Sequence, residues 1–427
     1  MASVLMIGFL VLLTIGLPIA FAMGLATILA IAWHGTLPFS LFAQRALIGA
    51  DSYSLLAIPF FILAGNLMNV GGITERIVAF ANACVGRFTG GLGLTTVMSC
   101  MVFSGVSGSA VADASALGKV LIPGMKKQGY DGGFAASVTA AASVMGPIIP
   151  PSIPLVIYGL SVGKGVSVAA LFLGGVVPGI ALGVGLGIVV YVIARKRNYP
   201  RHEAVPLRQL VSAAGQAGWA LFMPVLILVG ITGGVVTVTE SAAIAVLYAA
   251  FVGMVIHREL TWRNIGPIFV QTALDTAVVM IIIAFASGFG WLMAVSGLPK
   301  SIAAWISGIS SDPLVILLLI NILLLIVGCF MEAIAAMIIL IPVLIPIVEA
   351  AGIDLVHFGL VMVFNLMLGL LTPPVGILLY ICGNFANVRI EAVVREVLPF
   401  LGVGVIILAL ITVFPATVLW LPKLVLG

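Results

Sequence analysis

Residues 103–154 read FSGVSGSAVADASALGKVLIPGMKKQGYDGGFAASVTAAASVMGPIIPPSIP, and this stretch is written twice in the chain. At a shift of 223 residues Leu121, Ile122 and Pro123 fall on Leu344, Ile345 and Pro346. Gly129 falls on Gly352, Asp131 on Asp354, Gly146 on Gly369, and Pro150 and Pro151 on Pro373 and Pro374, the only two Pro-Pro pairs in the sequence. So apolar a chain matches leucine and alanine by accident. A shared framework of proline, glycine and aspartate is different, because these residues shape the backbone. The chain is expected to be an internal duplication.

Each copy implies the same pair of elements. Residues 91–103 are apolar, but about 13 residues at 1.5 Å each cannot cross a ~30 Å hydrocarbon core. A Gly/Ser break at 104–109 follows, and 110–125 runs back to Lys126 and Lys127, so residues 91–127 are expected to form a re-entrant helical hairpin. Residues 133–158 are long enough to cross but carry Gly146 and then four prolines, Pro147, Pro150, Pro151 and Pro154. Prolines remove amide donors and forbid a continuous helix, so this is a broken transmembrane helix. The second copy repeats the plan, with a hairpin over 314–348 turning at 328–332, and a broken helix over 354–380 interrupted at 369–376.

Composition sets the surroundings of these elements. Of 427 residues, 63% are hydrophobic and 7% charged, and mean hydropathy is +1.33. A soluble domain carries about 25% charged residues, so this chain cannot cover a water-facing surface. Apolar runs of helical length recur, and the chain is expected to be an all-α polytopic membrane protein. The net charge of +4 marks sidedness rather than nucleic-acid binding. Cys84, Cys100, Cys329 and Cys382 are scattered without paired spacing, which favours small core residues over a disulfide or metal framework. The four histidines, His34, His202, His257 and His357, fall near expected helix ends. The first segment has no basic n-region and is expected to stay as a helix over about residues 4–32.

Further spans are expected near 54–70, 167–194, 220–233, 242–256, 276–295 and 393–421, with amphipathic pieces at 35–50, 74–88 and 207–218. Leu67, Met68 and Val70 recur as Leu292, Met293 and Val295, Gly72 as Gly297, and Ile77 as Ile302. Gly179, Gly183 and Gly187 form a stripe suited to close helix packing. Residues 1–195 form the first repeat, 196–235 a linker, interfacial helix and connecting span, and 236–427 the second repeat. The basic run from Arg195 to Arg201 is assigned to the cytoplasm. Counting spans from it puts Lys126 and Lys127 on the same side, while the base of the second hairpin at 349–354 has no basic residue. The copies are thus expected to lie upside down to one another, an inverted repeat of the kind secondary transporters use.

Unwound backbone deep in a membrane must line a cavity or bind something, since each unmet carbonyl there costs several kcal/mol, on the order of 2–7. Carbonyl and hydroxyl oxygens suit a hard cation, and few carboxylates favour a monovalent one. One Na⁺ site is expected where Ser104, Gly105, Ser107 and Gly108 meet Gly146 and Pro150, and another where Gly328 and Glu332 meet Gly369, Thr372 and Pro374. Helix N-termini near Ser107, Ser109, Ser152 and Pro154 are candidates to hold an anionic substrate. Asp113 and Glu332 either tune ion affinity, carry protons or cap helix ends. Glu240 and Asp275 are expected near span ends.

On the motifs FSGVSGSAVADASA, LIPGMKKQGYD, GPIIPPSIP and GLLTPPVG, the chain resembles the large membrane subunit of TRAP (tripartite ATP-independent periplasmic) transporters, within the ion-transporter superfamily. The resemblance covers essentially the whole chain. It implies a multi-pass protein of the bacterial inner membrane that imports an organic acid anion on a Na⁺ gradient by an elevator motion. It also implies a separate small four-helix membrane subunit and a periplasmic substrate-binding protein as partners. The overall similarity leans toward the sialic-acid class, with C4-dicarboxylates as the alternative. The family's binding positions fall on Ser104, Gly105, Ser107, Gly108, Gly146, Pro150, Ser152, Gly328, Thr372 and Pro374.

Two rival readings deserve a test against the residues. Gly105-Val106-Ser107-Gly108 matches the GxSG string of intramembrane serine proteases, but no histidine base is expected at mid-membrane. Re-entrant loops also build ion-channel filters, usually on an axis between subunits, whereas both hairpins here are in one chain. The expected protein is a transporter and not an enzyme.

Overall fold

The computed structural model describes residues 1–427 except 36, 164, 202–204, 298–300 and 302–311. Ile302 and His202 therefore lie outside the described residues. Every regular element among the described residues is helical. Eight of these helices are long and apolar enough to cross a membrane. The outward face of the longest first-half helix carries Ile180, Val184 and Ile188, each about half exposed or more, a stripe that suits lipid rather than water.

The two hairpins form as the spacing predicts. In the first, α6 (Gly91–Ser107) turns through Gly108 and Ser109 into α7 (Ala110–Lys127). Its broken helix is α8 (Gly132–Ser143) and α9 (Ile153–Val162), followed by α10 (Val168–Lys196). In the second, α14 (Pro313–Phe330) turns through Met331 and Glu332 into α15 (Ala333–Ala350). Its broken helix is α16 (Leu355–Gly369) and α17 (Ile377–Ala386), followed by α18 (Ile390–Val413) and α19 (Ala416–Leu426). The starts of α6 to α10 and of α14 to α18 differ by 222 to 224 residues. Asp131 and Asp354, both retained in the shift, cap α8 and α16 by accepting two backbone amides each.

Several expected boundaries move. The tips are two residues long, not six or five: Ser104 to Ser107 and Gly328 to Phe330 remain helical, because a serine or glycine run bends a helix only where no intrahelical bond replaces the turn. The expected first helix is two antiparallel ones, α1 (Ala2–Thr14) and α2 (Ile19–His34), packed on each other across a turn at Gly16, with Gly8 facing Ala26. Pro18 stands just before α2, where its missing amide costs nothing. Conversely, the expected interfacial helix and connecting span are one continuous helix, α11 (Leu207–Thr232), and the last span divides at Pro415.

The remaining elements are α3 (Ser40–Ala50), α4 (Ala57–Val70), α5 (Ile73–Val85), α12 (Val238–Phe251, continued by a π-turn over Val252–Ile256) and α13 (Trp262–Val295). They form a layer in which α4 packs on α12 and α13, and α13 on α2 and α3. The hairpins and broken helices form the other layer. At its centre lie α8 and α16, buried on all sides from Gly133 to Ser143 and from His357 to Gly369. Each post-break half-helix crosses to the opposite hairpin: α9 packs on α15, and α17 on α7 and α8. Lys126 at the base of the first hairpin donates to the Ala386 carbonyl at the end of α17. The glycine stripe of α10 seats against the first break and α6, with Gly179 on Ile149 and Gly183 on Met101.

Candidate functional site

At the first tip, Gly108 has φ +63°, and a Cβ there would lie 2.7 Å from the Pro151 carbonyl oxygen. Only glycine lets the tip reach the first break this closely. Ser109 then caps α7, accepting the Ala112 amide at 3.4 Å. One turn further on, Asp113 is wholly buried. Its carboxylate accepts the Ser107 hydroxyl and lies 3.4 Å from the Ser104 hydroxyl, which also donates to the Cys100 carbonyl at 2.6 Å. It presses on the unwound backbone as well: a Cβ on Gly146 would sit 2.6 Å from Asp113 Oδ2. Among the described residues no lysine, arginine or histidine pairs with this carboxylate. A buried carboxyl group with only hydroxyl partners either keeps its proton or demands a counter-charge. Ser104, Ser107 and Gly146 thus meet around Asp113, with Gly108 on Pro151 and Gly105 close to the Pro150 carbonyl.

The second tip has the same length, but Met331 is extended where Gly108 is left-handed, and the side chains differ. Glu332 occupies the cap position that Ser109 holds in the first, its Oε2 accepting the Ala335 amide at 3.0 Å. The capping reading of Glu332 therefore holds. Asp113 does not cap. Gly328 and Gly369 bring α14 and α16 into backbone contact, since a Cβ on Gly369 would be 2.6 Å from Cα and C of Gly328. Thr372 donates its hydroxyl to the Leu368 carbonyl at 2.8 Å. The position matching Asp113 is Ala336, and that matching Ser107 is Phe330. Among the described residues, the close neighbours of Gly328 and Gly369 and the hydrogen-bond partner of Thr372 are all uncharged. Pro150-Pro151 and Pro373-Pro374 are both cis peptide bonds.

Both tips open on one cavity of about 1270 Å³. Ser107 and Ser109 line it from the first hairpin, and Met331 and Glu332 from the second. Its other polar wall is on α4 and α13: Asn66, Asn69, Gln271 and Asp275. These four escaped the sequence reading. Asp275 was expected near a span end because the span was started at Thr276, whereas α13 begins at Trp262 and leaves Asp275 in mid-helix, accepting from Gln271 at 2.8 Å. Amides at i and i+3 in an apolar helix, as in Asn66 and Asn69, were the signal that pointed to a wetted face. Ser152 is not in the cavity wall. It is fully buried, capping α9 through the Leu155 amide and donating to the Pro147 carbonyl. Pro154 lies in the first turn of α9, with Ile153 rather than itself lining the cavity. Among the described residues the lining has no lysine, arginine or histidine. The amino ends of α7 and α15, whose first turns both border it, turn partial positive charge toward a cavity that also holds the carboxyl groups of Asp275 and Glu332.

Among the described residues no histidine accompanies Ser107, whose hydroxyl is committed to Asp113. His357, the most buried histidine described, bonds the Ile411 carbonyl from the far end of α16.

Residues 6–417 match a family model described as Tripartite ATP-independent periplasmic transporter, DctM component. The chain is 42% identical to the sialic acid TRAP transporter large permease protein SiaM of Vibrio cholerae, over 98% of both chains. It is 38% identical to the C4-dicarboxylate TRAP transporter large permease protein DctM of Pseudomonas aeruginosa, over 88% of this chain and 87% of that one. It is 41% identical to the isethionate TRAP transporter permease protein DctMQ of Oleidesulfovibrio alaskensis, over 95% of this chain but 64% of that longer protein. Among solved structures, the YdaH transporter of Alcanivorax borkumensis shares the fold, with a TM-score of 0.61 over 88% of each chain at 17% identity.

Proposed function

The chain belongs to the DctM component family of tripartite ATP-independent periplasmic transporters, a multi-pass membrane protein and not an enzyme, and from that premise we propose that it imports an organic acid anion on a Na⁺ gradient. The observation that carries this reading is that both hairpin tips line one cavity. The substrate would lie between Ser107 and Ser109 on one side and Met331 and Glu332 on the other, its carboxylate facing the amino ends of α7 and α15. One Na⁺ would neutralise Asp113 among Ser104, Ser107, Gly108 and Gly146. The donor set suits a monovalent ion, since among the described residues no three acidic or metal-ligating side chains gather. A second Na⁺ would take backbone oxygens near Gly328 and Gly369 with Thr372.

Two Na⁺ carried with a monoanion move one net positive charge inward, worth about 2.3 kcal/mol per 100 mV before the Na⁺ concentration gradient is added. The full-length similarity to SiaM favours sialic acid as the cargo, with a C4-dicarboxylate as the second reading. The layer of hairpins and broken helices would travel as an elevator along the layer of α4, α12 and α13. A small membrane subunit and a periplasmic binding protein would complete the transporter. Uptake into proteoliposomes by the three-part complex, with sialic acid, succinate and isethionate offered in turn, tests the proposal. Saturable uptake of one acid that needs inward Na⁺ is expected. Uptake indifferent to Na⁺ overturns the coupling.

A further inference from the structure

Beneath the second tip runs a chain of buried amides that the first lacks. Asn321 lies two turns before Gly328 on α14, and Asn365 one turn before Gly369 on α16, so both sit on the faces where these helices meet. Asn365 Nδ2 lies 2.8 Å from Asn321 Oδ1 and 3.0 Å from the Asn321 carbonyl oxygen. Asn321 in turn donates to Thr412 Oγ1 on α18 at 2.9 Å, and Thr412 to the Leu408 carbonyl at 2.6 Å. Asn365 is wholly buried, Asn321 and Thr412 nearly so, and Asn365 Oδ1 has no partner. At the 223-residue shift these positions are Met98, Ala142 and Val189, so nothing in the matched packing requires amides here.

Amides in an apolar interior stay only where every neighbour they bond is held in register, because a slip leaves donors bare. The chain fixes α14 on α16 within two turns of the Gly328–Gly369 contact. We propose that Asn321 and Asn365 are positioning residues of the second cation site, holding the two backbones at the separation its carbonyl oxygens need. This rests on the Na⁺ reading above. The first site has no such need, since a carboxylate draws its ion by charge. The second, built of dipoles, depends on geometry and so on the element that sets it.

The test is Na⁺ titration of uptake by the complete reconstituted transporter. Asn365→Leu keeps the branching at Cγ and removes the polar bonds, and the Na⁺ concentration for half-maximal uptake is expected to rise about fivefold, the scale of one lost hydrogen bond. The Hill coefficient should fall toward one, and the substrate concentration for half-maximal uptake at saturating Na⁺ should stay within about twofold, since the cavity wall is untouched. Thr412→Val removes only a hydroxyl from the end of the chain and should shift the Na⁺ titration in the same direction, by less. It serves if Asn365→Leu fails to assemble. Met98→Leu, at the matching place in the first half, should shift nothing. A Na⁺ titration unmoved in both Asn365→Leu and Thr412→Val overturns the inference. Wild-type uptake that ignores Na⁺ overturns instead the reading it rests on.

Discussion

The two hairpin-and-break units share a helix plan and differ in the side chains set on it. Helix starts follow the 223-residue shift to within one residue and both tips are two residues long, with Ser109 and Glu332 capping their helices with different oxygens from the same place. The side chains part company one turn later, where Asp113 faces Ser104 and Ser107 and its counterpart is Ala336. In the first unit the backbone is spaced around a charge. In the second, glycine meets glycine and buried asparagines hold the spacing. The order and spacing of the helices are thus retained by the residues that bend the chain, and charge is free to differ. On the proposed function this makes one ion site electrostatic and the other dipolar.

The sharpest way to break that contrast is to remove the charge alone. Asp113→Asn is expected to weaken Na⁺ dependence of uptake by roughly a thousandfold, since an ion at 4 Å loses about 4 kcal/mol at an effective dielectric of 20. Glu332→Gln, which keeps an oxygen for the Ala335 amide, should cost less than about threefold, the lower end of a cap's worth. Equal losses in the two variants would end the division. Next come the hydroxyls. Ser107→Ala strips a donor from a buried carboxylate and should raise half-saturating Na⁺ about tenfold, the scale of a hydrogen bond to a charged group. Thr372→Ala, whose hydroxyl already serves the Leu368 carbonyl, should raise it about threefold, as for a neutral bond. A Thr372 effect larger than that of Ser107 would reverse the assignment of charged and dipolar sites.

How far the sequence carried this reading depends on the kind of signal. Proline and glycine act locally, so the hairpins and breaks around Gly108, Gly146, Gly369 and the Pro-Pro pairs were legible before any coordinates. Hydropathy is blind to a turn that stays apolar: Ile15-Gly16-Leu17-Pro18 passed as helix, and α1 and α2 were read as one. It is equally blind to a helix that outruns its apolar core, which is how α13 lost its first 14 residues and Asp275 its place in the cavity. Which of Asp113 and Glu332 caps a helix turned on which amide lies about 3 Å away, and no spacing rule contains that. Ser152 illustrates the converse. A serine before a helix reads equally as a ligand or as a cap, and here the cap position uses its oxygen.

The smallest effect is the one that asks whether the two units are independent at all. Arg197 at the end of α10 grips both carboxylate oxygens of Glu396 on α18, at 2.8 and 2.9 Å, tying the end of the first unit to the last long helix of the second. Glu396 and Tyr199 together hold the guanidinium's pKa above its ordinary value. The pair is partly exposed at the membrane edge, so a double-mutant cycle through Arg197→Ala and Glu396→Ala should give a coupling of about 0.5 kcal/mol, fading with salt. Half-saturating Na⁺ should not move, because each proposed ion site lies within its own hairpin and break. If cutting this tie shifted Na⁺ affinity as far as Thr372→Ala does, the sites would answer to how the units are clasped. The contrast between charge and dipole would then describe one coupled site rather than two.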